Sequence, residues 1–503
     1  MCKEDKLIVR NTLFLYGRIG IIMLIGLYSS RILLQALGIE SFGIYNVVGS
    51  IVMMFNSIRG MFVSSTQRFL NIEMGRHNEK GLNEIFCTSI NIHIFMCVLF
   101  LLIVEPIGIW LIHNKLNIPD NNYFIVNVLF QLSILASILT ILTIPYEAVL
   151  IASQRMHIYA YISILDAILK LCAIGVLFLL SSNRLLIYGI LILLIAFINR
   201  GISYKYCKQF SYCKYRNIKN KGLYKSLGSF AGWNFFGNLA FSLSNEGQNL
   251  LLNIFFGPAL NAARGIAYQI RNALYQLTSN LNLAFAPQIT HLYAKGKNLE
   301  LTKVASAAIR LSVYTITICC IPVYTYIDEI LTFWLTTIPL YTAEIIRCIL
   351  IMVFLRAFAA INDTIIQATG QIKKYHIINA FITLFSFIGS YVYLTYFDNF
   401  IGIFWIYNFS LLISIINSLI IIYRIKIIEF KKYNTILIKC CIPCIPLLFL
   451  SFLFKKYFTG NIIIGIGLDT LICAMCILLF HTSKQEKKYI LNILKNMINK
   501  IRW

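Results

Sequence analysis

Apolar residues fill the chain in fourteen successive stretches of about 20 residues, separated by short polar connections. A helix needs roughly 20 apolar residues to cross a hydrocarbon core about 30 Å thick. The stretches are continuous, whereas an outer-membrane barrel alternates polar and apolar residues in segments of about 10. The pattern therefore predicts an all-α integral membrane protein. Its helices are expected at residues 12–37, 44–70, 85–112, 123–147, 159–181, 185–203, 227–256, 260–290, 304–327, 344–367, 377–396, 401–423, 435–454 and 462–481.

Lysine and arginine residues concentrate in alternate connections between these helices. If the N-terminus is cytoplasmic, the outer connections hold only Lys115, Arg184, Arg264, Lys455 and Lys456. Basic residues resist translocation, so this bias predicts that both termini are cytoplasmic.

The composition agrees with a membrane protein and narrows the classes of partner. Hydrophobic residues make up 59% of the chain, charged residues only 13%, and the mean hydropathy is +0.75. Such a chain has too little polar surface for a soluble globule. The net charge of +24 is spread over many short loops, so nucleic acid is not an expected partner. The 14 cysteines fall mostly in predicted helices, where a thiol packs as a small apolar group. No metal site is expected, because no histidine or carboxylate cluster accompanies them.

Matching short motifs recur about 220 residues apart. Gln67 and Gly75 end the second predicted helix, and Gln288 and Gly296 end the eighth with the same spacing. Each half has an even number of crossings, so the repeat is parallel. The predicted organisation is two pseudo-symmetric six-helix lobes plus two C-terminal helices. Its segments are an N-lobe at 1–213, a basic cytoplasmic interlobe loop at 204–226, a C-lobe at 220–425, helices 13–14 within 426–483, and a basic cytoplasmic tail at 484–503, lying on the inner leaflet or solvated.

Polar side chains form stripes on the first two helices of each lobe, with arginines among them. An arginine at the bilayer centre costs roughly 2.5–3.5 kcal/mol, so these side chains are expected to face water, each other or an anion. We interpret the stripes as the lining of a water-filled cationic cavity, the alternative being hydrogen-bonded helix packing. The candidate substrate-binding residues are Arg18, Arg31, Arg59, Asn234, Asn238, Asn245, Asn249, Arg264, Tyr268, Arg271, Tyr275 and Arg356.

Three carboxylates are candidates for ion coupling. Glu147 and Asp363 occupy matched repeat positions near the inner ends of their helices. Glu246 borders the asparagine stripe of the seventh predicted helix, which holds Asn234, Asn238, Asn245, Asn249 and Asn253. Each could bind H⁺ or Na⁺ and couple its movement to transport, or act as a counter-ion that holds an arginine. Asp166 and Lys170, four residues apart, are predicted to neutralise each other. No other cofactor is expected.

The segment from Arg31 to Asn46, RILLQALGIESFGIYN, resembles the helix 1 to helix 2 turn of Wzx-type polysaccharide or O-antigen flippases. These belong to the multidrug/oligosaccharidyl-lipid/polysaccharide (MOP) exporter superfamily. The resemblance implies a multi-pass transporter of the bacterial inner membrane that moves an undecaprenyl-diphosphate-linked oligosaccharide outward by alternating access, for lipopolysaccharide or other surface polysaccharide synthesis. It implies a monomer among membrane lipids, with a polysaccharide polymerase and a chain-length regulator as candidate partners.

Two other functions fit parts of the pattern. A cation-coupled multidrug exporter of the same superfamily would favour carboxylates in its cavity and usually stops at twelve helices. A glycan polymerase or ligase would need a sizeable outer loop, and no predicted outer loop exceeds about 16 residues. We therefore predict a transporter and no enzymatic activity.

Overall fold

The computed structural model describes residues 3–56, 59–119, 122–153, 155–180, 183–218, 220–370, 372–458 and 460–478. Within these ranges it describes all side chains except those of residues 3–19, 55–56, 59–62, 64, 227–239, 283–284 and 372. The regular structure in this part of the chain is helical, with no strand. The predicted all-α class is confirmed.

The helices follow the predicted apolar stretches closely. The first six are α1 (Lys3–Asn56), α2 (Arg59–Gly75), α3 (Glu79–Asn114), α4 (Tyr123–Ala152), α5 (Met156–Leu179) and α6 (Arg184–Cys207). The next seven are α7 (Lys221–Phe256), α8 (Pro258–Ala294), α9 (Asn298–Thr325), α10 (Ile327–Trp334), α11 (Thr342–Thr369), α12 (Ile372–Tyr396) and α13 (Ile401–Ile425). The last three are α14 (Phe430–Cys441), α15 (Cys444–Tyr457) and α16 (Ile462–Cys476).

Nine helical segments of the described residues are long and apolar enough to cross a membrane, and α16 is a shorter apolar helix. The segment Phe430–Tyr457, which joins α14 and α15, counts as one of the nine. The chain is therefore a multi-pass helical membrane protein. The cytoplasmic location of both termini stays a prediction, and the predicted tail at 484–503 lies outside the described residues.

Two glycines at the ends of predicted helices, Gly38 and Gly257, share one unusual backbone conformation. Gly38 has φ 78° and ψ 168°, and Gly257 has φ 79° and ψ −177°. This region is essentially restricted to glycine, because a Cβ atom would clash there. Gly38 kinks α1 where the sequence predicts the end of helix 1, and Gly257 separates α7 from α8.

The chain divides into two compact units. Unit 1 comprises Met1–Gln269, Thr336–Thr342 and Ala380–Ile403. In it α4 packs against α6 and α3, and α1 packs against α5 and α7. Unit 2 comprises Ile270–Leu335, Ala343–Asn379 and Phe404–Trp503, and within it α9 packs against α14, α15 and α16. The predicted lobe bounds stay predictions, because these units are defined by packing alone.

Small residues bring α1 and α8 into close contact within unit 1. A Cβ atom added to Gly43 would lie 1.9 Å from the carbonyl oxygen of Pro258. One added to Gly265 would lie 2.8 Å from the side-chain nitrogen of Asn46. Membrane helices associate through such small residues, because lipid provides no hydrophobic driving force between them.

The segment between α6 and α7, which forms most of the predicted interlobe loop, is folded onto α3. The Asn83 amide donates to the carbonyl oxygens of Tyr212 and Lys214 at 2.8 and 2.6 Å. The Tyr212 hydroxyl lies 3.0 Å from that of Ser153. Burial raises the pKa of Tyr212 to about 12. This connection is therefore an ordered part of unit 1.

Candidate functional site

Two of the predicted substrate-binding arginines lie within electrostatic range of one tyrosine in unit 2. Arg271 and Tyr275 lie one turn apart on α8, and the guanidinium carbon of Arg271 is 5.4 Å from the centre of the Tyr275 ring. Arg356 on α11 interacts electrostatically with Tyr275 as well. The Arg356 side chain is 42% exposed and Arg271 is half-buried, so both can reach a bound molecule.

Arg356 is also paired with a carboxylate. Its guanidinium lies 3.0 Å from Asp363, two turns further along α11, and the Tyr375 hydroxyl donates to the same carboxylate. Asp363 therefore has the geometry of a counter-ion that orients Arg356, one of the two roles that the sequence left open. The guanidinium groups of Arg271 and Arg356 and the carboxylate of Asp363 together carry a net charge of +1. We call Arg271, Tyr275, Arg356 and Asp363 the arginine cluster.

The predicted asparagine stripe on α7 continues, in its described half, as a buried hydrogen-bond network in unit 1. Asn261 on α8 donates to the backbone and side-chain oxygens of Asn249 at 2.6 and 2.9 Å. Asn253 donates to Asn261 at 3.0 Å, and Asn249 donates to the carbonyl oxygen of Asn46 on α1 at 3.1 Å. Asn253 also accepts from the Asn117 backbone amide at 2.8 Å. This half of the stripe therefore joins helices through hydrogen bonds, which was the alternative to a water-filled cavity.

Arg264 and Tyr268 belong to the same buried region. The guanidinium carbon of Arg264 lies 3.7 Å from the centre of the Tyr268 ring, and its Nη2 atom donates to the carbonyl oxygen of Asn245 at 2.5 Å. Arg264 is only 4% exposed. The Asn245 side chain in turn donates to Glu246 at 2.7 Å. A role for these residues toward substrate stays a prediction, since their side chains here serve helix packing.

Glu147 lines a cavity of about 300 Å³ inside unit 1. Asp166, Lys170 and Asn199 line it with α4, α5 and α6 residues. Lys170 and Asn199 donate to the two oxygens of Asp166 at 2.8 and 2.7 Å, which confirms the predicted Asp166–Lys170 pair. Glu147 is the other carboxylate among these four groups. A polar cavity lined by a carboxylate can receive a cation or a proton.

Five predicted substrate-binding residues remain. Arg31 is half-buried on α1. The side chains of Arg18, Arg59, Asn234 and Asn238 lie outside the described residues.

Comparison with known proteins identifies the fold. No protein-family model and no curated protein sequence matches the chain. Among solved structures, the lipid II flippase MurJ in an inward-closed conformation matches with a TM-score of 0.67 at 14% identity, covering 93% of this chain and 98% of that one. An inward-facing multidrug resistance MATE family transporter of the MOP superfamily matches with a TM-score of 0.62 at 12% identity, covering 83% and 95%. The chain has the fold of MOP superfamily transporters.

A third structure with this fold differs in the character of its pocket. It is a MOP superfamily transporter from Pyrococcus furiosus with a TM-score of 0.61 at 13% identity, covering 82% of this chain and 95% of that one. It is described as having a binding pocket of reverse polarity, which suggests a different function. These neighbours are transporters and not enzymes.

Sequence reasoning missed two polar residues that the fold makes prominent. Asn261 links Asn249 and Asn253, and its i+8 spacing from Asn253 across the α7–α8 turn was the available signal. Asp469 is fully buried in α16. An acid in the middle of an apolar helix was a sufficient signal for Asp469, because such residues are rare and costly in a membrane.

Proposed function

We propose that the chain is a flippase for a polyisoprenyl-diphosphate-linked oligosaccharide, which it moves across the inner membrane by alternating access. The arginine cluster receives the diphosphate. Guanidinium groups bind phosphate oxygens through charge-assisted hydrogen bonds, often two at a time. Tyr275 and neighbouring polar side chains contact the sugars, since aromatic rings pack against sugar faces.

The observation that carries the proposal is that Arg271 lies beside Tyr275 and Arg356 lies within electrostatic range of the same side chain, on two helices predicted to cross the membrane. Placing two guanidinium groups inside a bilayer costs several kcal/mol unless an anion or water compensates their charge. Asp363 balances one of the two charges, so the cluster retains an attraction for an anionic headgroup.

The structural comparisons support this class of substrate. The match to the lipid II flippase extends over 93% of the chain, against 83% for the MATE transporter. MATE family transporters with this fold are described in inward-facing and outward-facing conformations, which fits alternating access. The proposed location is the bacterial inner membrane, with surface polysaccharides such as O-antigen as the final product. A polysaccharide polymerase and a chain-length regulator are the proposed partners.

A reconstituted transport assay tests the function. Purified protein in vesicles should move a fluorescently labelled, diphosphate-linked oligosaccharide lipid between leaflets, measured as the fraction that becomes inaccessible to a membrane-impermeant quencher. A monophosphate-linked lipid with the same sugar should move more slowly, because one phosphate group and its charge are missing. Equal movement in protein-free vesicles would contradict the proposal.

The alternative function is a cation-coupled multidrug exporter. Its support is the likeness to multidrug resistance transporters together with the acidic cavity of unit 1. The same vesicles separate the two functions. An exporter of this kind would accumulate cationic dyes in response to an ion gradient and leave the labelled lipid in place.

We propose Glu147 as the coupling carboxylate, because it lines a polar cavity of about 300 Å³ in unit 1 that a proton or a cation can enter. Replacing Glu147 with Gln should remove the stimulation of lipid movement by a pH or Na⁺ gradient, while gradient-free movement persists. The measurement is the ratio of transport rates with and without each gradient. Glu105→Gln is the matched control, since Glu105 lies in the same unit and accepts from Gln131 at 2.6 Å outside the cavity. A retained gradient response in the Glu147 variant would assign coupling elsewhere, with Glu246 and Asp363 as the remaining candidates.

A further inference from the structure

A buried polar chain joins the C-terminal hairpin of α15 and α16 to α9 in unit 2. The Asp469 side chain on α16 contacts the hydroxyl of Ser451 on α15. Ser451 lies 2.8 Å from the hydroxyl of Thr325 at the end of α9, and Thr325 lies 3.0 Å from the carbonyl oxygen of Ile321. Asp469 and Ser451 are fully buried, and Thr325 is 2% exposed.

The number of protons available to this chain of hydrogen bonds determines whether Asp469 is protonated. Three oxygen–oxygen contacts run from Asp469 through Ser451 and Thr325 to Ile321, and each hydrogen bond needs one proton. A carbonyl oxygen supplies none, and each hydroxyl supplies one. Ser451 and Thr325 therefore account for two of the three bonds. The third proton has to come from the carboxyl group of Asp469.

The surroundings give an ionised Asp469 little compensation. Among the described residues it has no ion pair, and its Oδ1 atom has no hydrogen-bond partner. Of the two cations on α15, Lys455 is held by Glu329 at 2.7 Å and by the Thr325 carbonyl oxygen at 2.7 Å, and Lys456 is exposed, 5.8 Å from the centre of the Tyr457 ring. The other titratable groups around Asp469 are Tyr326 at the end of α9 and Cys473 on α16, neither of which is a cation. An uncompensated buried carboxylate would cost several kcal/mol.

We propose that Asp469 is a proton-binding site whose bound proton is donated to Ser451, and that this hydrogen bond fastens the C-terminal hairpin to α9. The ligand is a proton, and the site is separate from the arginine cluster and from the cavity of Glu147. Apolar helices gain little by associating in lipid, so polar contacts of this kind hold them together. The inference does not rest on the transported substrate.

Infrared difference spectroscopy of the full chain in lipid nanodiscs tests the protonation state. The spectrum of the wild type minus that of Asp469→Asn should contain the carbonyl stretching band of a protonated carboxylic acid at neutral pH. The asparagine amide can still donate to Ser451, so this variant is expected to fold. Asp328→Asn is the matched control. Asp328 is 59% exposed and is paired with Arg347 at 2.6 Å, so its difference spectrum should contain carboxylate bands. Carboxylate bands in the Asp469 difference spectrum would overturn the proposal.

A second variant tests whether Ser451 accepts the hydrogen bond from protonated Asp469. Ser451→Ala removes the acceptor, so the band of protonated Asp469 should shift to higher frequency and remain in the spectrum. Thr317→Val is the control on α9, because the Thr317 hydroxyl bonds to Val313 in its own helix, outside the chain of Asp469. An unshifted band in Ser451→Ala would show that Ser451 does not receive the proton.

Discussion

Replacing Arg271 and Arg356 together with alanine is expected to reduce transport of the diphosphate-linked lipid at least about 100-fold at low substrate concentration. Each charge-assisted hydrogen bond is worth roughly 1.5–3 kcal/mol, and about 1.4 kcal/mol corresponds to a factor of ten. Arg271 and Arg356 are the two cations of the arginine cluster, so the double variant leaves the carboxylate of Asp363 there without either of them. Initial transport rates in reconstituted vesicles, normalised to the amount of folded protein, provide the measurement.

The same helix supplies a matched control for this experiment. Arg347 lies nine residues before Arg356 on α11, is paired with Asp328 and lies 6.0 Å from the ring of Tyr324. Arg347→Ala thus removes an ion-paired arginine beside a tyrosine and should leave transport close to normal.

Loss of Arg356 also leaves Asp363 without its ion-pair partner, which lowers stability. The triple variant that adds Asp363→Asn removes this effect. Normal transport by the folded double and triple variants would exclude the arginine cluster as the diphosphate site.

Replacing Gly43 with alanine is expected to lower the free energy of unfolding by about 3 kcal/mol or to prevent accumulation of folded protein. The new Cβ atom would lie 1.9 Å from the backbone carbonyl oxygen of Pro258, and a backbone atom cannot rotate away as a side chain can. Overpacking of a filled interior typically costs 1–3 kcal/mol, and here α1 and α8 have to move apart. Thermal unfolding of the purified chain in detergent measures the effect.

Gly49 on the same helix is the matched control, because no atom lies within 4 Å of the Cβ position there. Gly49→Ala should be neutral or stabilising by about 0.5 kcal/mol, since alanine loses less backbone freedom than glycine in a helix. Equal stability of the Gly43 and Gly49 variants would mean that α1 and α8 do not pack as described.

Local features of the sequence were enough to predict the helices. The predicted segment 123–147 corresponds to α4 at Tyr123–Ala152, and 401–423 corresponds to α13 at Ile401–Ile425. The short helix α10 and the break between α14 and α15 were not predicted. The helix α10 follows the predicted span 304–327 and carries Asp328 and Glu329 in its first turn, so hydropathy placed it in a connection. The break between α14 and α15 falls inside the predicted span 435–454, where hydropathy carries no signal for it. The predicted pair of Asp166 and Lys170 was also local, because residues four apart share one face of a helix.

Distant partners were beyond prediction from one sequence. The sequence placed the asparagine stripe on one face of a helix, but a stripe has the same spacing whether it faces water or another helix. Its described half faces Asn46 and Asn261, and the first of these lies 203 residues from Asn249 along the chain. Arg356 is a second case. Its spacing from Asp363 placed both on one face of a helix, but nothing in the sequence indicated that Arg356 lies near Tyr275 on another helix.

The sequence by itself determined the apolar helices and the abundance of polar groups within them, because these depend on composition and on spacing along one helix. Only the tertiary structure decided which polar groups meet: asparagine with asparagine in unit 1, arginine with tyrosine and aspartate in unit 2, and Asp469 with Ser451. The reason is physical. A buried polar group must be satisfied by whichever neighbour the packing brings within about 3 Å, and that neighbour is set by contacts between helices.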